Sequence, residues 1–169
     1  MRVRRTAGFS LVETLVVVAI VGVLALAATL ALSGAGGERQ LDEASRRFAG
    51  LVAFACERAE LAGRDIGTVL TRDGYRFDRL DGDAWRALAG TSELRARQWP
   101  DSSIVTLARD GRPVELATRD DAQPQVICRA SGAMTPFVLT LALPSVAVKY
   151  RVDGAADGTV VPRRIDDHR

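Results

Sequence analysis

The sequence predicts an α+β protein in which one long N-terminal helix leads into a small antiparallel β-domain. Residues 11–32 form an almost uninterrupted apolar run, and residues 41–59 repeat apolar side chains at steps of three and four. From residue 64 onward, short β-prone segments alternate with turn signals, and such periodicity is the main local signal that separates helix from strand. We therefore divide the chain into a basic leader (1–8), a hydrophobic helix (9–33), a linker with an amphipathic second helical half (34–63) and a β-domain (64–169).

The hydrophobic segment is long enough to cross a membrane. As a helix, residues 11–32 would span about 33 Å at the usual rise of about 1.5 Å per residue, and the hydrocarbon core of a bilayer is about 30 Å thick. Arg2, Arg4 and Arg5 precede the run, and no basic residue lies within it. This asymmetry predicts a single-pass membrane protein with a cytoplasmic N-terminus. In a Gram-negative bacterium the membrane would be the inner membrane, and the C-terminal domain would lie in the periplasm.

One carboxylate, that of Glu13, interrupts the apolar run near its start. A charge within a membrane-length segment costs at least about 2.5–3.5 kcal/mol on insertion scales, so such residues usually serve a function. Two simpler interpretations compete. One is a cleaved signal peptide, for which residues 25–27 and 31–33 have the small-x-small spacing of a cleavage site, and the other is a plain single-span anchor. Glu13 disfavours both, because a charge weakens signal-peptide recognition and is only a burden to a plain anchor.

The segment after the hydrophobic run combines a predicted break with a second helical pattern. Gly34, Gly36 and Gly37 each disfavour a helix by about 1 kcal/mol relative to alanine, so we expect a loosened or broken stretch there. The amphipathic pattern then begins and stops near Gly63. We interpret its apolar stripe as a face that packs on the β-domain in preference to a cofactor groove; its members are Leu41, Ala44, Phe48, Leu51, Val52, Ala55 and Ala59.

Asp-Gly pairs predict the turns of the β-domain, because both residues tolerate the positive φ that tight hairpins need. They occur at residues 73–74, 81–82, 110–111, 153–154 and 157–158. Short runs of β-branched and aromatic residues between turn signals predict strands. Nine candidates follow from this pattern: residues 66–71, 75–80, 85–88, 104–108, 114–117, 126–129, 137–143, 146–152 and 159–162.

The N-terminal motif resembles a known signal. Behind the basic leader stands Gly8-Phe9-Ser10-Leu11-Val12-Glu13, which is similar to the processing and assembly signal of type IV pilin-like proteins. The resemblance implies cleavage between Gly8 and Phe9 by a prepilin peptidase, N-methylation of Phe9, and a role for Glu13 in assembly and register. Subunits of this superfamily pack into filaments through their N-terminal helices.

Later motifs resemble one branch of that superfamily, the H-type minor pseudopilins of type II secretion systems. The matching stretches include Arg72-Asp73-Gly74-Tyr75 and Ser131-Gly132-Ala133-Met134-Thr135-Pro136-Phe137. The resemblance implies a pilin-like fold, a long helix on two small β-sheets. It also implies a structural subunit near the tip of a periplasmic pseudopilus, which helps to export folded proteins across the outer membrane.

Partners and competing functions follow from the same resemblance. The implied partners are the major pseudopilin, other minor pseudopilins, the prepilin peptidase, the inner-membrane secretion platform and the lipid bilayer. One alternative is a minor pilin of a type IV pilus that serves adhesion, motility or DNA uptake. Another is a membrane-anchored periplasmic binding module without a filament role, which Glu13 and the Gly8-Phe9 junction disfavour.

Motifs for catalysis or metal binding are missing from the sequence pattern, so we predict no enzyme activity, no cofactor and no metal site. The single histidine, His168, stands at the extreme C-terminus, where a structured catalytic device is not expected. Residues 153–158 offer too few carboxylates for calcium, and we interpret them as a turn. Cleavage after Gly8 would leave 20 basic and 21 acidic side chains, a balance of −1, so we expect no nucleic-acid binding.

The two cysteines, Cys56 and Cys128, lack the Cys-x-x-Cys spacing of zinc or thioredoxin-like sites. A disulfide between them is compatible with an oxidising compartment. It would close a loop of about 70 residues and contribute roughly 4 kcal/mol in the chain-entropy model. The alternative is two buried thiols, because Cys56 lies near the apolar side of the helix and Cys128 on a predicted core strand.

Overall fold

A computed structural model describes residues 11–88, 93–118 and 123–166, without the side chains of residues 27–35. Its first element, α1, is one helix that covers Leu11–Ala62 and contains 52 residues. The chain divides into two compact units, one up to Gly36 and one from Gly37 onward. Among the described residues, no helix combines the length and the hydropathy that a bilayer crossing needs.

The predicted break at residues 34–37 is wrong, because α1 continues through them without interruption. About 1 kcal/mol per glycine weakens a helix without removing its backbone hydrogen bonds, and no proline occurs between residues 11 and 62. Packing explains why a glycine stands at position 37. A Cβ at this position would lie 2.7 Å from Cγ2 of Val146, so the glycine allows a close approach between α1 and the loop that contains Val146.

Short strands make up most of the remaining described chain. In chain order they are β1 Ile66–Leu70, β2 Gly74–Asp81, β3 Ala84–Ala87, β4 Arg97–Gln98, β5 Ile104–Arg109, β6 Arg112–Val114, β7 Val126–Cys128, β8 Phe137–Ala142, β9 Val148–Gly154 and β10 Val160–Asp166. They form two sheets, which we call the first and the second sheet. The first has the order β3-β2-β1-β7, with β4 also paired to β2, and the second has the order β10-β9-β8-β5-β6. Neighbouring strands in both sheets are antiparallel.

The predicted strands all overlap observed ones, but several boundaries differ. The candidate at residues 114–117 shares only Val114 with β6, and the two-residue strand β4 was not predicted. The Asp-Gly pair at residues 153–154 was interpreted as part of a turn and lies inside β9. Gly154 is needed there for close packing, because a Cβ would come within 2.1 Å of Cε1 of Phe137. The turn itself begins one residue later, and Gly158 N donates a hydrogen bond to Ala155 O.

The apolar stripe of α1 packs against both sheets, as the sequence predicts. Leu41, Phe48, Val52, Ala55 and Ala59 have no exposed surface. The ring of Phe48 lies 5.0 Å from that of Tyr75 in the first sheet and 6.0 Å from that of Phe137 in the second. Edge-to-face aromatic pairs at such distances add about 0.5–1.5 kcal/mol beyond simple area burial. Phe48 therefore links the two sheets at the centre of the core.

We expect Phe48→Ala to lower the free energy of unfolding by about 3–5 kcal/mol, because it empties a fully buried aromatic site. The matched control is Leu61→Ala, which changes a side chain on the same helix that is 84% exposed and should alter stability by less than about 0.5 kcal/mol. Urea unfolding of a fragment that begins at Gly37 measures both, and we expect this fragment to be folded and monomeric. Equal stability of the two variants, or an unfolded fragment, would contradict the packing described above.

Candidate functional site

The N-terminal half of α1 presents an apolar surface. Every side chain described between residues 11 and 26 is exposed. The large apolar ones include Leu11, Leu15, Val18, Ile20 and Leu24, and 71% of Val18 is accessible. Contiguous exposed apolar surface of this extent marks a site that binds another protein or a membrane. We call residues 11–26 the assembly surface.

Glu13 lies in the first described turn of the assembly surface. Its neighbour Thr14 satisfies its own hydroxyl within the helix, because Thr14 Oγ1 donates to Leu11 O at 2.8 Å. Gly8 and Phe9, for which the resemblance implies cleavage and methylation, lie outside the described residues, as do the leader and His168. A carboxylate on an apolar surface loses its hydration when that surface is covered, which is costly unless the charge is paired.

The structure joins Cys56 and Cys128 in a disulfide, with their Cα atoms 4.8 Å apart. Both cysteines are buried, and Cys56 Sγ lies 3.6 Å from Met134 Sδ. Of the two arrangements that the sequence leaves open, a bonded pair and two buried thiols, the structure has the bonded one. The disulfide ties α1 to β7, the edge strand of the first sheet.

The C-terminal end of α1 is held by polar contacts near this disulfide. Gly63 adopts a φ of 61°, and Arg64 N donates to Ala59 O at 3.1 Å, which ends the helix. Asp65 Oδ1 accepts a hydrogen bond from Ala130 N at 2.8 Å. Because residue 130 belongs to the turn between β7 and β8, this contact fixes the passage of the chain from the first sheet to the second.

Gln125 completes the first sheet with its side chain, a role that sequence reasoning missed. Its Nε2 donates to Leu70 O at 3.1 Å, and its Oε1 accepts from Leu70 N at 2.9 Å. The buried amide therefore makes the two hydrogen bonds to β1 that the backbone of a neighbouring strand would otherwise make. The only local hint of this role is that Gln125 is a polar residue directly before the apolar strand β7. The fold is needed to show that its side chain meets the backbone of Leu70.

A groove of about 360 Å³ lies between α1 and the segment 98–101. Its lining includes Glu43, Arg47, Tyr75, Trp99 and Asp101, and the rings of Tyr75 and Trp99 stand 4.6 Å apart. Burial raises the pKa of Tyr75 to about 12, against the opposing effect of Arg47 and Arg97, so its hydroxyl remains protonated at neutral pH. We call this the Tyr75 groove. No local pattern predicts this groove, because its walls come from segments about 50 residues apart.

The carboxylates at residues 153 and 157, near the C-terminus, bind neighbouring groups of the same domain. Asp153 Oδ1 lies 2.6 Å from Arg151 Nε. Asp157 Oδ1 accepts from Thr159 N at 3.0 Å, and hydrogen bonds from Thr159 hold the pKa of Asp157 below its usual value. Within the described ranges, no group of three or more potential metal-ligating side chains comes together. Asp157 thus stabilises the turn between β9 and β10, whereas Asp153 pairs with an arginine of its own strand.

Comparisons with known proteins identify relatives along most of the chain. Residues 3–29 match the prokaryotic N-terminal methylation motif. Type II secretion system protein H of Aeromonas hydrophila is 34% identical over 161 residues, which is 89% of this chain and 88% of the relative. The protein of the same name from Pseudomonas aeruginosa is 34% identical over 147 residues, with 82% and 84% covered.

Two solved structures have a similar fold. The minor pseudopilin EpsH from the type 2 secretion system of Vibrio cholerae superimposes with a TM-score of 0.62 at 19% identity, over 77% of this chain and 98% of that one. The solution structure of GspH from Escherichia coli gives 0.57 at 21% identity, over 78% and 92%. At such low identity these structures support the helix and the two antiparallel sheets, and the sequence relatives carry the family relationship.

Loss of the disulfide should destabilise the fold. We expect the double variant Cys56→Ala/Cys128→Ala to lose about 2–5 kcal/mol of unfolding free energy, because the cross-link constrains a long loop in the unfolded chain. Wild type that has been reduced in urea and refolded with a reductant should approach the variant. The variant is its own control, since reductant should leave it unchanged. Equal urea midpoints for oxidised wild type and the double variant would contradict a stabilising disulfide.

Proposed function

Because the chain belongs to the family of type II secretion system protein H, it is a minor pseudopilin, and we propose that it is a structural subunit near the tip of the periplasmic pseudopilus. There it would help to export folded proteins across the outer membrane. The observation that carries this proposal is the assembly surface, an exposed apolar half-helix with Glu13 in its first described turn. The relatives reported above bear the type II secretion name, which favours this system over a type IV pilus.

We propose that residues 9–33 anchor the chain in the inner membrane, with the leader in the cytoplasm and the β-domain in the periplasm. The three leader arginines support this orientation. The buried disulfide also supports it, because disulfides persist in the periplasm and are rare in the cytosol. The exposed apolar side chains of residues 11–26 fit either lipid or the helices of other subunits.

The proposed partners differ between processing, membrane anchoring and filament growth. The prepilin peptidase would act first, at the junction of Gly8 and Phe9, and the lipid bilayer would then hold the mature subunit. The inner-membrane secretion platform, the major pseudopilin and other minor pseudopilins would bind it during filament growth. The role is structural and requires no catalytic residue, cofactor or nucleic acid.

Glu13 would set the register of the subunit in the filament. Cleavage after Gly8 creates a positively charged amine at Phe9, four residues from Glu13. Each charge alone is costly in a low-dielectric environment, and pairing them reduces the cost. When helices pack with an axial stagger, Glu13 of one subunit can meet the Phe9 amine of the next. The pair would then form only in one relative position of the two helices.

The processing step predicts a defined mature N-terminus. Intact-mass and N-terminal peptide analysis of the protein purified from its membrane should show N-methylated Phe9. Gly8→Val should leave the leader uncleaved, whereas Ala7→Val serves as the control and should be processed. A mature N-terminus at residue 28 or 34 would instead identify an ordinary signal peptide, since the small-x-small sites end there.

Substitution of Glu13 tests the assembly role. We expect Glu13→Ala to leave processing and membrane localisation unchanged, but to lower secretion of a reporter exoprotein and cross-linking to the major pseudopilin at least about tenfold. Glu38→Ala, which removes a carboxylate from a later turn of the same helix, is the matched control and should secrete normally. Normal secretion and cross-linking by the Glu13 variant would limit this residue to recognition by the peptidase.

A further inference from the structure

The two faces of the second sheet have different environments. One face packs in the core, where Leu139, Leu141 and Val152 are buried. Successive side chains of a strand point to opposite faces, so Thr140 and Arg151, which stand opposite each other in β8 and β9, project from the other face. Within the described ranges α1 is the only helix, and it packs on the core face. We call the other face the outer face of the second sheet.

The outer face carries exposed aliphatic side chains. From residue 37 onward, the large apolar side chains that the described chain exposes are Leu61, Ile104 and Val161. Ile104 is 54% exposed and lies two residues before Thr106, which stands opposite Thr140. Val161 stands opposite Asp153, an outward residue of β9. Ile104 and Val161 therefore both lie on the outer face, where a partner that covers them would gain the free energy of apolar burial.

Cations outnumber carboxylates on the outer face. The charged strand residues that project from it are Lys149, Arg151, Asp153 and Arg163, three cations and one carboxylate. Arg151 and Arg163 stand directly opposite each other, and like charges in that position repel. Asp153 Oδ1 lies 2.6 Å from Arg151 Nε, and its Oδ2 lies 3.6 Å from Arg163 Nε. One carboxylate therefore serves two guanidinium groups, and 67% of the Arg163 side chain remains exposed.

The hairpin turns of the second sheet do not remove this surplus of positive charge. The β5–β6 hairpin adds Arg109, Asp110 and Arg112, and the β9–β10 turn adds Asp157. Two cations and two carboxylates thus balance each other. The connection between β8 and β9, residues 143–147, has no charged residue. The outer face and its turns together therefore keep more positive than negative charge.

We propose that the outer face of the second sheet docks an acidic surface of a neighbouring pseudopilin in the filament. Charge complementarity selects this occupant, since cations outnumber carboxylates on the face and opposite potentials meet across protein interfaces. An arginine fork binds a planar carboxylate through two parallel hydrogen bonds, so a partner carboxylate between Arg151 and Arg163 would relieve their repulsion. Apolar side chains of the partner would cover Ile104 and Val161. This inference rests on the proposed function, because it takes the partner from the same filament.

Charge reversal at Arg163 tests the docking in cells. A photo-cross-linking residue replaces Thr106 in the full chain, which is expressed with the complete secretion system. We expect a cross-link to another pseudopilin that falls at least about fivefold in Arg163→Glu. An arginine in place of the partner's carboxylate at the cross-linked site should restore it. The matched control is Arg86→Glu, which should leave the cross-link unchanged, because Arg86 is also exposed and opposite an arginine, Arg79, but in the first sheet.

The aliphatic part of the outer face is tested in the same way. Ile104→Gln should lower the Thr106 cross-link at least about threefold, because it removes apolar contact from the interface. Leu61→Gln changes a side chain of α1 that is 84% exposed, and it should have no effect. The Tm of each full-length variant in detergent should stay within about 3 °C of wild type, because the substituted side chains are exposed. A lower Tm for Arg163→Glu alone would assign this arginine to the internal structure and overturn the proposal.

The remaining outcomes distinguish this inference from the proposed function. The docking proposal is overturned if Thr106 gives no cross-link, or one that is indifferent to Arg163→Glu and Ile104→Gln. It is equally overturned by a cross-link that charge exchange does not restore, or that goes to lipid or to a secreted protein. A second cross-linker in place of Val18, on the assembly surface, reports filament packing independently, and its cross-links to other pseudopilins should persist in every variant. If they are missing even in wild type, the proposed function fails, and with it the source of the acidic partner.

Discussion

The fold depends on one face of α1, which packs against both sheets at once. Phe48 supplies the central contact, because its ring meets Tyr75 of the first sheet and Phe137 of the second. Ala55 and Ala59, one and two turns beyond the neighbouring Val52, are fully buried and small, so both sheets can approach the helix axis. Neither sheet has another helix to cover it within the described residues. Loss of this face would therefore leave both sheets without most of their core.

The two halves of α1 differ in composition and in how their apolar side chains are buried: the first half carries a single charged residue, Glu13, and the second half carries many. In the second half the apolar residues keep to a stripe, which the β-domain covers, and charged side chains occupy the opposite side. In the first half the apolar residues surround the helix, and every described side chain from 11 to 26 is exposed. A helix that is apolar on all sides requires an apolar environment from outside its own domain. The distribution of apolar residues around the axis thus separates the part of α1 that packs in the core from the part whose apolar side chains remain exposed.

Local signals predicted the elements, and contacts between distant segments decided what they do. The spacing of Leu41, Phe48 and Val52 predicted the buried stripe correctly, and most Asp-Gly pairs mark real turns. The expected break near Gly37 failed, because the reason for that glycine is its neighbour Val146, more than 100 residues away. The role of Gln125 could likewise not be predicted, because its side chain bonds the backbone of Leu70, 55 residues away in the sequence.

The disulfide links the C-terminal part of α1 to β7. Strand β7 pairs with β1, the strand that directly follows α1 in the chain. Cys128 pairs across the sheet with Ile66, and Ile66 follows the end of α1 by only four residues. The helix is therefore joined covalently to two adjacent strands at the same level of one sheet, by the disulfide at Cys56 and by the short connection through Gly63. A helix held at two such points cannot slide or rotate over the sheet without breaking backbone pairing. The register of the Phe48 stripe is thereby fixed.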